Sequence, residues 1–380
     1  MTKAIKRRQP RQRRGVKRVT QIDDLNIVAV GLLHDMAELQ GVERARFGYK
    51  RAAKAVVGLP VSVVDLVESG SLREVPFIGP SSARVITELV QTGRSDTVEA
   101  AVNASGKRSQ VAAKRLLRAN YLSEFAMLQV HGQPLDDDVV GRGHFRGDFQ
   151  MHSTWSDGGE SIATMADACL ALGHTCMGVT DHSYGLPIAR GMSMSAVSGQ
   201  HEEIDRLNAG YDGRFRIFKG IEANILADGS LDLQPDECAR FEFVVASPHS
   251  LLRKAEDQTD RMLGAIRASR VAILGHPRGR VYNGRAGVVA NWRRVFEEAA
   301  ARRVAVEIDG NWHRQDLDFE LVGEALDAGC LLAVDSDAHS TGELRFTDFA
   351  IAHARLARAP ADRVINTWSD AELEAWMGER

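Results

Sequence analysis

The sequence predicts an α/β fold, in which a seven-stranded parallel (β/α) barrel follows an all-helical region. From residue 145 onward, seven short apolar segments alternate with helical segments, which is the pattern of a parallel sheet covered by helices. Before residue 130 only helical patterns occur, separated by Pro and Gly breaks. Most of the apolar segments also end in a His, Asp or Glu, so the fold prediction carries a prediction about chemistry.

The charge of the chain is divided unevenly between its two parts. Residues 1–140 contain 22 Lys and Arg against 15 Asp and Glu, whereas the remainder contains 26 against 36. The basic part predicts a polyanionic partner, and the acidic part is where bound cations would offset the charge. No apolar run approaches the ~20 residues of a membrane span, and four scattered cysteines indicate a reducing, cytoplasmic compartment.

Composition and breaks suggest four segments. Residues 1–19 form a basic tail, expected to be disordered, which serves either for solubility or as a weak nucleic-acid arm. Residues 20–130 are expected to be a helical domain, and 131–144 form a polar linker that contains Gly. Residues 145–380 are expected to form the barrel. Helices are expected in the first domain at 26–39, 45–57, 63–68, about 97–104 and 110–128, with one more beginning near Pro80 and Ser81.

The barrel strands follow from the apolar segments. They are predicted at 146–151, 174–180, 215–222, 241–247, 271–275, 303–308 and 331–335. The helices between them are predicted at 162–172, 195–207, 259–269, 292–301 and 319–328.

Histidines and acids recur at the carboxyl ends of these strands. Because parallel strands of a barrel deliver their carboxyl ends to one face, imidazoles and carboxylates placed there predict a cup that binds two or three divalent ions. An isolated His at a strand end is more often a structural residue, so the prediction depends on the whole set. The strand-end residues are His152, Asp157, His182, Glu222, His249, His276, Asp337 and His339.

The segments around these residues resemble the PHP family, the polymerase and histidinol phosphatase family of metal-dependent phosphoesterases. The chain is similar above all to the PHP domain of bacterial family X DNA polymerases. The resemblance implies a distorted seven-stranded barrel and ions that are Mn²⁺, Zn²⁺ or Fe²⁺. The stretches that carry it are GDFQMHSTWSDG (147–158), TDHSYGL (180–186), GIEANILADGSLDL (220–233), ASPHS (246–250), GHPRGR (275–280), EIDGNWHRQDLD (307–318) and DSDAHS (335–340).

The resemblance also implies three metal subsites. The first would use His152, Glu222 and Asp337. The second would use Glu222, His249 and His276, with Glu222 bridging, and the third would use Asp157, His182 and His339. The family commonly has a His at the position of Gln150, and an amide oxygen is a weaker ligand than an imidazole. We therefore expect Gln150 to reduce or retune the affinity of one subsite.

Other polar residues lie beside these motifs. Arg278 and Arg280 are expected to contact a substrate phosphate and to assist catalysis, because the Arg fork matches phosphate geometry. Arg190 and Arg314 are further candidates for substrate binding, unless they are solvated loop charges. Asp181 would orient a liganding His, or simply end its strand.

The segment from Val75 to Ile86 resembles a helix-hairpin-helix, whose turn grips a DNA phosphate through backbone N–H groups. The DNA-binding residues would be Ile78, Gly79, Ser81 and Ser82. Phe77 stands where the motif has its first Gly and should stiffen or reshape the turn. Val85 stands where lyase-active relatives carry a Schiff-base Lys, so no such lyase activity is expected.

These observations favour a metal-dependent phosphoesterase that acts on DNA ends as a 3′–5′ exonuclease or 3′-phosphatase. No polymerase activity is expected, since residues 130–145 leave no room for a nucleotidyl-transferase palm. A small-molecule phosphatase of histidinol-phosphate type and a non-catalytic DNA-binding protein with a degenerate metal site remain as alternatives. The oligomeric state does not follow from the sequence.

Overall fold

A computed structural model describes residues 23–134, 136 and 138–380, so the predicted basic tail at 1–19 lies outside the described residues. The N-terminal region is helical, as predicted. No helix of the described part is both long and apolar enough to span a bilayer. The first seven helices are α1 Leu25–Leu39, α2 Glu43–Val57, α3 Val63–Glu68, α4 Pro80–Thr92, α5 Asp96–Ala104, α6 Arg108–Leu116 and α7 Glu124–Gly132.

Seven parallel strands in sequential order then form a nearly closed barrel, which confirms the predicted fold class. The strands are β1 Gly147–Asp148, β2 Cys176–Val179, β3 Arg216–Asn224, β4 Phe243–Ser247, β5 Val271–Leu274, β6 Ala305–Asp309 and β7 Leu331–Asp335. The covering helices are α8 Ile162–Ala171, α9 Val197–Tyr211, α10 Pro235–Cys238, α11 Thr259–Ile266, α12 Trp292–Arg302, α13 Phe319–Ala328, α14 Thr347–Leu356 and α15 Asp370–Gly378.

β1 is shorter than the predicted strand 146–151, because side chains replace the backbone ladder beyond Asp148. The Phe149 N–H donates to the Asp335 carboxylate at 2.7 Å, and the Gln150 N–H donates to the Asp148 carboxylate at 3.0 Å. A backbone bond of 2.9 Å from His152 to Ala338 then joins this segment to the chain after β7. The polar side chains thus close the barrel where its first and last strands meet.

Aromatic rings fill the barrel interior below the strand ends. The Phe243 ring lies 6.0 Å from that of Phe149, and both side chains are fully buried. Gly178 and Gly220 make room for Phe243, since a Cβ at either position would lie 2.6 or 2.4 Å from its ring. The interior is therefore a packed core, and only the carboxyl ends of the strands are left to form a site.

The predicted helix at 110–128 is two helices. Asn120 adopts a left-handed backbone conformation with φ 60° between them, and Ser123 caps α7. The side chain of Asp24 accepts hydrogen bonds from the backbone N–H and the hydroxyl of Ser123 at 2.8 and 2.9 Å. This long-range pairing, which a helical periodicity does not reveal, fixes the break.

A loop of the barrel joins it to the helical region. Tyr282, eight residues after the end of β5, is 8% exposed, and its ring lies 4.9 Å from that of Tyr121. The next residue, Asn283, accepts two hydrogen bonds from the Arg118 guanidinium at 2.9 and 2.7 Å. Arg118 also pairs with the buried Asp35 at 2.8 Å. The helical region is thus attached to the strand-end face of the barrel.

Glu88 of α4 holds the start of α5 and provides a test of the helical packing. Its carboxylate accepts from the Ser95 hydroxyl at 2.7 Å and from the Thr97 N–H at 2.9 Å. It also accepts from the Thr97 hydroxyl at 2.6 Å. The bonds from the Ser95 and Thr97 hydroxyls contribute most to lowering the pKa of Glu88 from 4.5 to about 2. We expect Glu88→Ala to reduce the free energy of unfolding by about 2 kcal/mol at pH 7, measured by urea denaturation.

The pH dependence of that difference follows from the direction of the pKa shift. Since the folded pKa is depressed, the stabilisation is complete above pH 4.5 and is lost as the pH falls towards 2. The wild type and Glu88→Ala should therefore converge in stability across this window. A difference that stays constant from neutral pH down to pH 2 would contradict the assignment.

Candidate metal centre

Glu222 of β3 is the centre of the strand-end cluster. Its side chain is fully buried, and four imidazoles surround its two carboxylate oxygens. The distances from Glu222 are 2.8 Å to His182 Nδ1, 3.0 Å to His276 Nε2, 3.5 Å to His249 Nε2 and 3.6 Å to His152 Nε2. These histidines follow β2, β5, β4 and β1, so the parallel strands converge their side chains on one carboxylate.

A second group lies beside the first. Asp157 is 3.6 Å from His182 Nε2 and 3.4 Å from His339 Nε2. The ring of His152 stacks between those of His182 and His339, with centroids 4.3 and 4.2 Å away. Asp337 lies 3.3 Å from His152 Nε2. The structure thus brings together every His, Asp and Glu that the sequence predicts as a ligand.

Burial and neighbouring charges shift the pKa values of the clustered residues in opposite directions. Burial raises the pKa of the Glu222 carboxyl, but the adjacent His182 and His249 outweigh it and hold that pKa well below its ordinary value. Burial lowers the pKa of His249 to about 3. Asp157 and Asp337 outweigh burial at His339 and raise its pKa to about 10. The Glu222 carboxylate is thus held ionised, as metal ligation by a carboxylate requires.

The cluster fits divalent cations. Both ring nitrogens of His152, His249 and His276 and both oxygens of Glu222 are buried without a well-oriented hydrogen bond to any described residue, even though His182 Nδ1 and His276 Nε2 lie 2.8 and 3.0 Å from Glu222. Buried polar atoms are normally satisfied. Two groups each offer ligand atoms that all lie within 4.8 Å of one another: His152, Asp157, His182 and His339 in one, and His182, Glu222 and His249 in the other. Mixed N and O donors suit Zn²⁺, Mn²⁺ or Fe²⁺.

Gln150 follows the end of β1 and precedes the predicted ligand His152 by two residues. Its side chain is fully buried, and neither Oε1 nor Nε2 has a hydrogen-bond partner among the described residues. An amide that is buried without partners costs about 1–3 kcal/mol, so we expect an ion or an ordered water to bind one of these atoms. This is the placement expected of a weak metal ligand or of a group that binds metal-site water.

Asp181 organises the loop that follows His152. Its carboxylate accepts from the Ser153 N–H and hydroxyl at 2.8 and 2.7 Å, from the Ser156 hydroxyl at 2.6 Å and from Gln200 at 2.7 Å. It lies next to His182 in sequence but bonds the segment that carries His152 and Asp157. Gln200 had no sequence signal, since it lies on the amphipathic helix α9.

The four predicted arginines occupy different environments. Arg314 reaches the cup, where its guanidinium lies 3.3 Å from Asp337 and 3.4 Å from Asp309. Arg278 and Arg280 instead pair with Asp318 at 3.1 and 2.8 Å. Arg280 is 4% exposed and also donates to the Ala119 carbonyl in the helical region. Arg190 lies exposed in the loop between β2 and α9.

The helix-hairpin-helix-like turn begins α4 at Pro80 without a side-chain cap. Gly79 is the N-terminal cap residue and Ser81 is exposed, whereas Ile78 and Ser82 are 5% and 6% exposed. Phe77 takes φ 69°, which is the left-handed conformation that a glycine would adopt. The backbone at this position therefore has a glycine-like conformation despite the different residue.

Comparison with known proteins identifies relatives of the chain. It is 36% identical over 241 residues to the DNA polymerase/3′–5′ exonuclease PolX of Bacillus subtilis, which covers 63% of this chain and 42% of that protein. It is 28% identical over 175 residues to a probable phosphatase of Caldanaerobacter subterraneus, covering 43% of this chain and 66% of that protein. The chain thus spans less than half the length of the PolX relative.

Among solved structures, the histidinol phosphate phosphatase of Lactococcus lactis is similar with a TM-score of 0.42 and 16% identity, over 55% of this chain and 93% of that one. No family model matches the chain.

The position of Gln150 predicts a specific effect on metal binding. We expect Gln150→Ala to reduce the number of tightly bound ions or to weaken one of them about 10-fold, and Gln150→His to strengthen the same site. Competition with a chromophoric chelator measures both. Identical titrations of the wild type and the two variants would show that Gln150 is not part of the site.

The contacts of Asp181 predict an indirect effect. Asp181→Asn replaces an acceptor of four hydrogen bonds by a group that both accepts and donates, so the loop carrying His152 and Asp157 should loosen. We expect metal affinity to fall about 10- to 100-fold while circular dichroism at low temperature stays unchanged. Asp167→Asn, which affects an exposed carboxylate on α8, is the matched control and should bind metal as the wild type does.

Proposed function

We propose that this chain, which belongs to the PHP (polymerase and histidinol phosphatase) family, is a divalent-metal-dependent phosphoesterase that hydrolyses phosphate esters at DNA ends. The observation that carries the proposal is the cluster of unpartnered, buried imidazoles and carboxylates around Glu222. No other arrangement in the described residues combines so many metal-ligand donors in one place. The likeness in sequence to PolX supports DNA as the substrate.

The residues that would hold the ions are the predicted set. We assign His152, Glu222 and Asp337 to one position, Glu222, His249 and His276 to a second, and Asp157, His182 and His339 to a third, with Gln150 beside the first. Ions bound there would polarise a phosphoryl oxygen and lower the pKa of water. Among the described residues, neither oxygen of Glu222 makes a well-oriented hydrogen bond, which leaves both available to a shared ion.

Arg314 is the cation best placed to hold a substrate phosphate in the cup. It lies against Asp337 and Asp309 at the strand ends, and a guanidinium there would bind a phosphoryl oxygen bidentately. Arg278 and Arg280 are held by Asp318. For Arg280 we therefore propose that it positions the strand-end loops through the helical region, while the partly exposed Arg278 is still available to a long substrate.

The helical region would hold the nucleic acid. The uncapped N-terminus of α4 presents free N–H groups that can grip a phosphate without reading bases. We assign this contact to Ile78, Gly79, Ser81 and Ser82. The attachment of the region to the strand-end face through Tyr282 and Asn283 supports a joint action of the two parts on one substrate.

A small-molecule phosphatase is the second candidate, because several relatives are probable phosphatases. The two candidates differ in what the helical region does. A phosphatase of the histidinol-phosphate type would hydrolyse small monoesters with high kcat/KM and would gain nothing from an oligonucleotide. A DNA-end hydrolase would show the reverse preference.

The decisive experiment combines metal analysis with a substrate panel. The full chain, loaded with Mn²⁺, is assayed on 5′-labelled single-stranded DNA, on 3′-phosphorylated DNA, on histidinol phosphate and on p-nitrophenyl phosphate. We expect a preference for the DNA substrates, and a loss of at least about 100-fold in His249→Ala/Asp337→Ala, together with loss of bound metal. His201→Ala, outside the cluster, is the control variant.

Two outcomes would overturn the proposal. Hydrolysis of none of the substrates by the metal-loaded wild type would refute the phosphoesterase function. Equal metal content in the wild type and in His249→Ala/Asp337→Ala would refute the site.

A further inference from the structure

A cavity beside the strand-end cluster is lined by cations. Its volume is about 420 Å³, which lies in the range of pockets that bind small ligands. We call it the β4-loop cavity, because all of its lining residues except Arg285 lie in the segment after β4. Its histidine, His249, also lies 3.5 Å from Glu222, so the cavity and the cluster share a residue. The lining residues, none of them acidic, are His249, Leu251, Leu252, Arg253, Lys254 and Arg285.

Local packing fixes the loop that carries two of these cations. Leu251 has φ 59°, and its carbonyl accepts from the Lys254 N–H at 3.1 Å, which closes a turn. Leu252 packs against the barrel core. Gly279 makes room for it, since a Cβ there would lie 2.7 Å from a Leu252 methyl carbon. Arg253 and Lys254, which follow, are exposed, so the turn has an apolar side towards the core and a cationic side towards solvent.

Arg285 lines the cavity from a second loop and is oriented by a backbone carbonyl. Its Nε donates to the Gly279 carbonyl at 2.7 Å, and its backbone is bonded to that of Val281 at 3.0 and 3.1 Å. Among the described residues, its Nη1 and Nη2 have no hydrogen-bond partner. Arg253 is held in the same way, because its Nη1 donates to the Gly284 carbonyl at 3.1 Å. Each guanidinium is thus placed by a carbonyl and keeps donors for a ligand.

The charges of the cavity are not neutralised within the described part of the protein. Arg253, Lys254 and Arg285 form no ion pair with a described carboxylate. Burial, and then the positive charges of Arg314 and Arg253, lower the pKa of Arg285, and Asp316 opposes them only in part. Partly buried cations that repel one another cost free energy, and a bound anion would remove that cost.

A second cavity also contains Arg285 but differs in charge. Its volume is about 360 Å³, and it lies where the barrel meets the helical region. Asp318, Glu320 and Glu324 line it together with Arg278, and Asp318 already pairs with Arg278 at 3.1 Å. Cations and acids therefore balance each other in the second cavity, whereas the β4-loop cavity favours an anion.

We infer that Arg253, Lys254 and Arg285 bind a phosphate group of the substrate other than the one that is hydrolysed. The inference rests on the proposed function and narrows its substrate class to esters with at least two phosphates along a chain, such as an oligonucleotide. Guanidinium groups with free donors match a phosphate in geometry and charge. Because His249 belongs to both the cavity and the cluster, a phosphate in the cavity would lie beside one at the ions.

This contact separates the two candidate substrate classes. A monoester such as histidinol phosphate has a single phosphate, so it would leave the β4-loop cavity without an anion. The contact also differs from the one assigned to the N-terminus of α4, because it lies in the barrel and concerns a phosphate near the scissile ester. It should therefore affect substrates too short to reach the helical region.

The number of phosphates in a short substrate tests the inference. The full chain, loaded with Mn²⁺, is assayed on thymidylyl-thymidine, which has one phosphate, and on its 5′-phosphorylated and 3′-phosphorylated forms, which have two. We expect kcat/KM to be about 10-fold higher for at least one of the two-phosphate forms, mainly through a lower KM, because charge-assisted hydrogen bonds to phosphate are strong. Chromatography of the products measures the rates, and the preferred form defines the direction of the bound strand.

Substitution of the two anchored arginines should remove this preference. In Arg253→Gln/Arg285→Gln we expect the ratio of kcat/KM between the two-phosphate and one-phosphate substrates to fall about 10-fold. Arg253→Lys/Arg285→Lys keeps the charge without the fork and should restore part of the ratio. The control, Arg206→Gln/Arg293→Gln, removes the same charge from exposed positions on α9 and α12 and should keep the ratio of the wild type. Bound metal and Tm report whether each variant is folded.

The two proposals fail in different ways. Equal kcat/KM of the wild type on all three substrates, or an equal loss on all three in Arg253→Gln/Arg285→Gln, would overturn the second-phosphate contact and leave the proposed function intact. If the wild type hydrolyses none of them, the proposed function fails. The cavity is then tested by the anisotropy of a labelled tetrathymidylate with phosphorothioate linkages. Weaker binding by Arg253→Gln/Arg285→Gln than by the wild type and the control would support the contact, and equal binding by all three would refute it.

Discussion

The buried carboxylate of Glu222 is the interaction on which the strand-end face depends. A lone carboxylate removed from water would become protonated, but His182 and His249 hold the pKa of Glu222 well below its ordinary value. Each imidazole in turn comes from the end of a different strand. The barrel therefore has to keep its strands parallel and in register for this carboxylate to stay charged, and its packed aromatic interior around Phe243 fixes that register from below.

The same face is also where the helical region is attached, so the two regions meet beside the predicted ligand residues. The chain leaves β5, passes His276 and Arg278, and then inserts Tyr282 and Asn283 against α1 and α6. A displacement of the helical region would pull on the segment that carries His276. The helical region thus helps to fix the position of the segment that carries His276. The buried Arg280 contributes to the same attachment, because it bonds both Asp318 of the barrel and the Ala119 carbonyl of the helical region.

Much of the fold was predictable, and so was the convergence of the predicted ligand residues on one face, because both depend on local pattern. Alternating apolar and helical segments gave the order of the strands, and parallel strands necessarily bring their carboxyl ends together. What the pattern could not show is pairing between distant residues. Asp24 with Ser123 breaks the helix predicted at 110–128, and the Asp335 carboxylate ends β1 early. Likewise Asp318 engages Arg278 and Arg280, and nothing in their spacing indicated this partner.

Two residues have environments that are unfavourable in the protein alone, and such residues often mark places where a ligand binds. Gln150 is buried with no partner for either atom of its amide, and Phe77 keeps an exposed ring on a backbone that favours glycine. Each arrangement costs free energy in the protein alone. The Gln150 amide is left unsatisfied, and the Phe77 ring is left in water on a strained backbone. Gln150 lies two residues before the predicted ligand His152, and Phe77 lies in the turn before α4. An ion or its water bound to the Gln150 amide would satisfy that amide, and a ligand that covers the Phe77 ring would remove the ring from water.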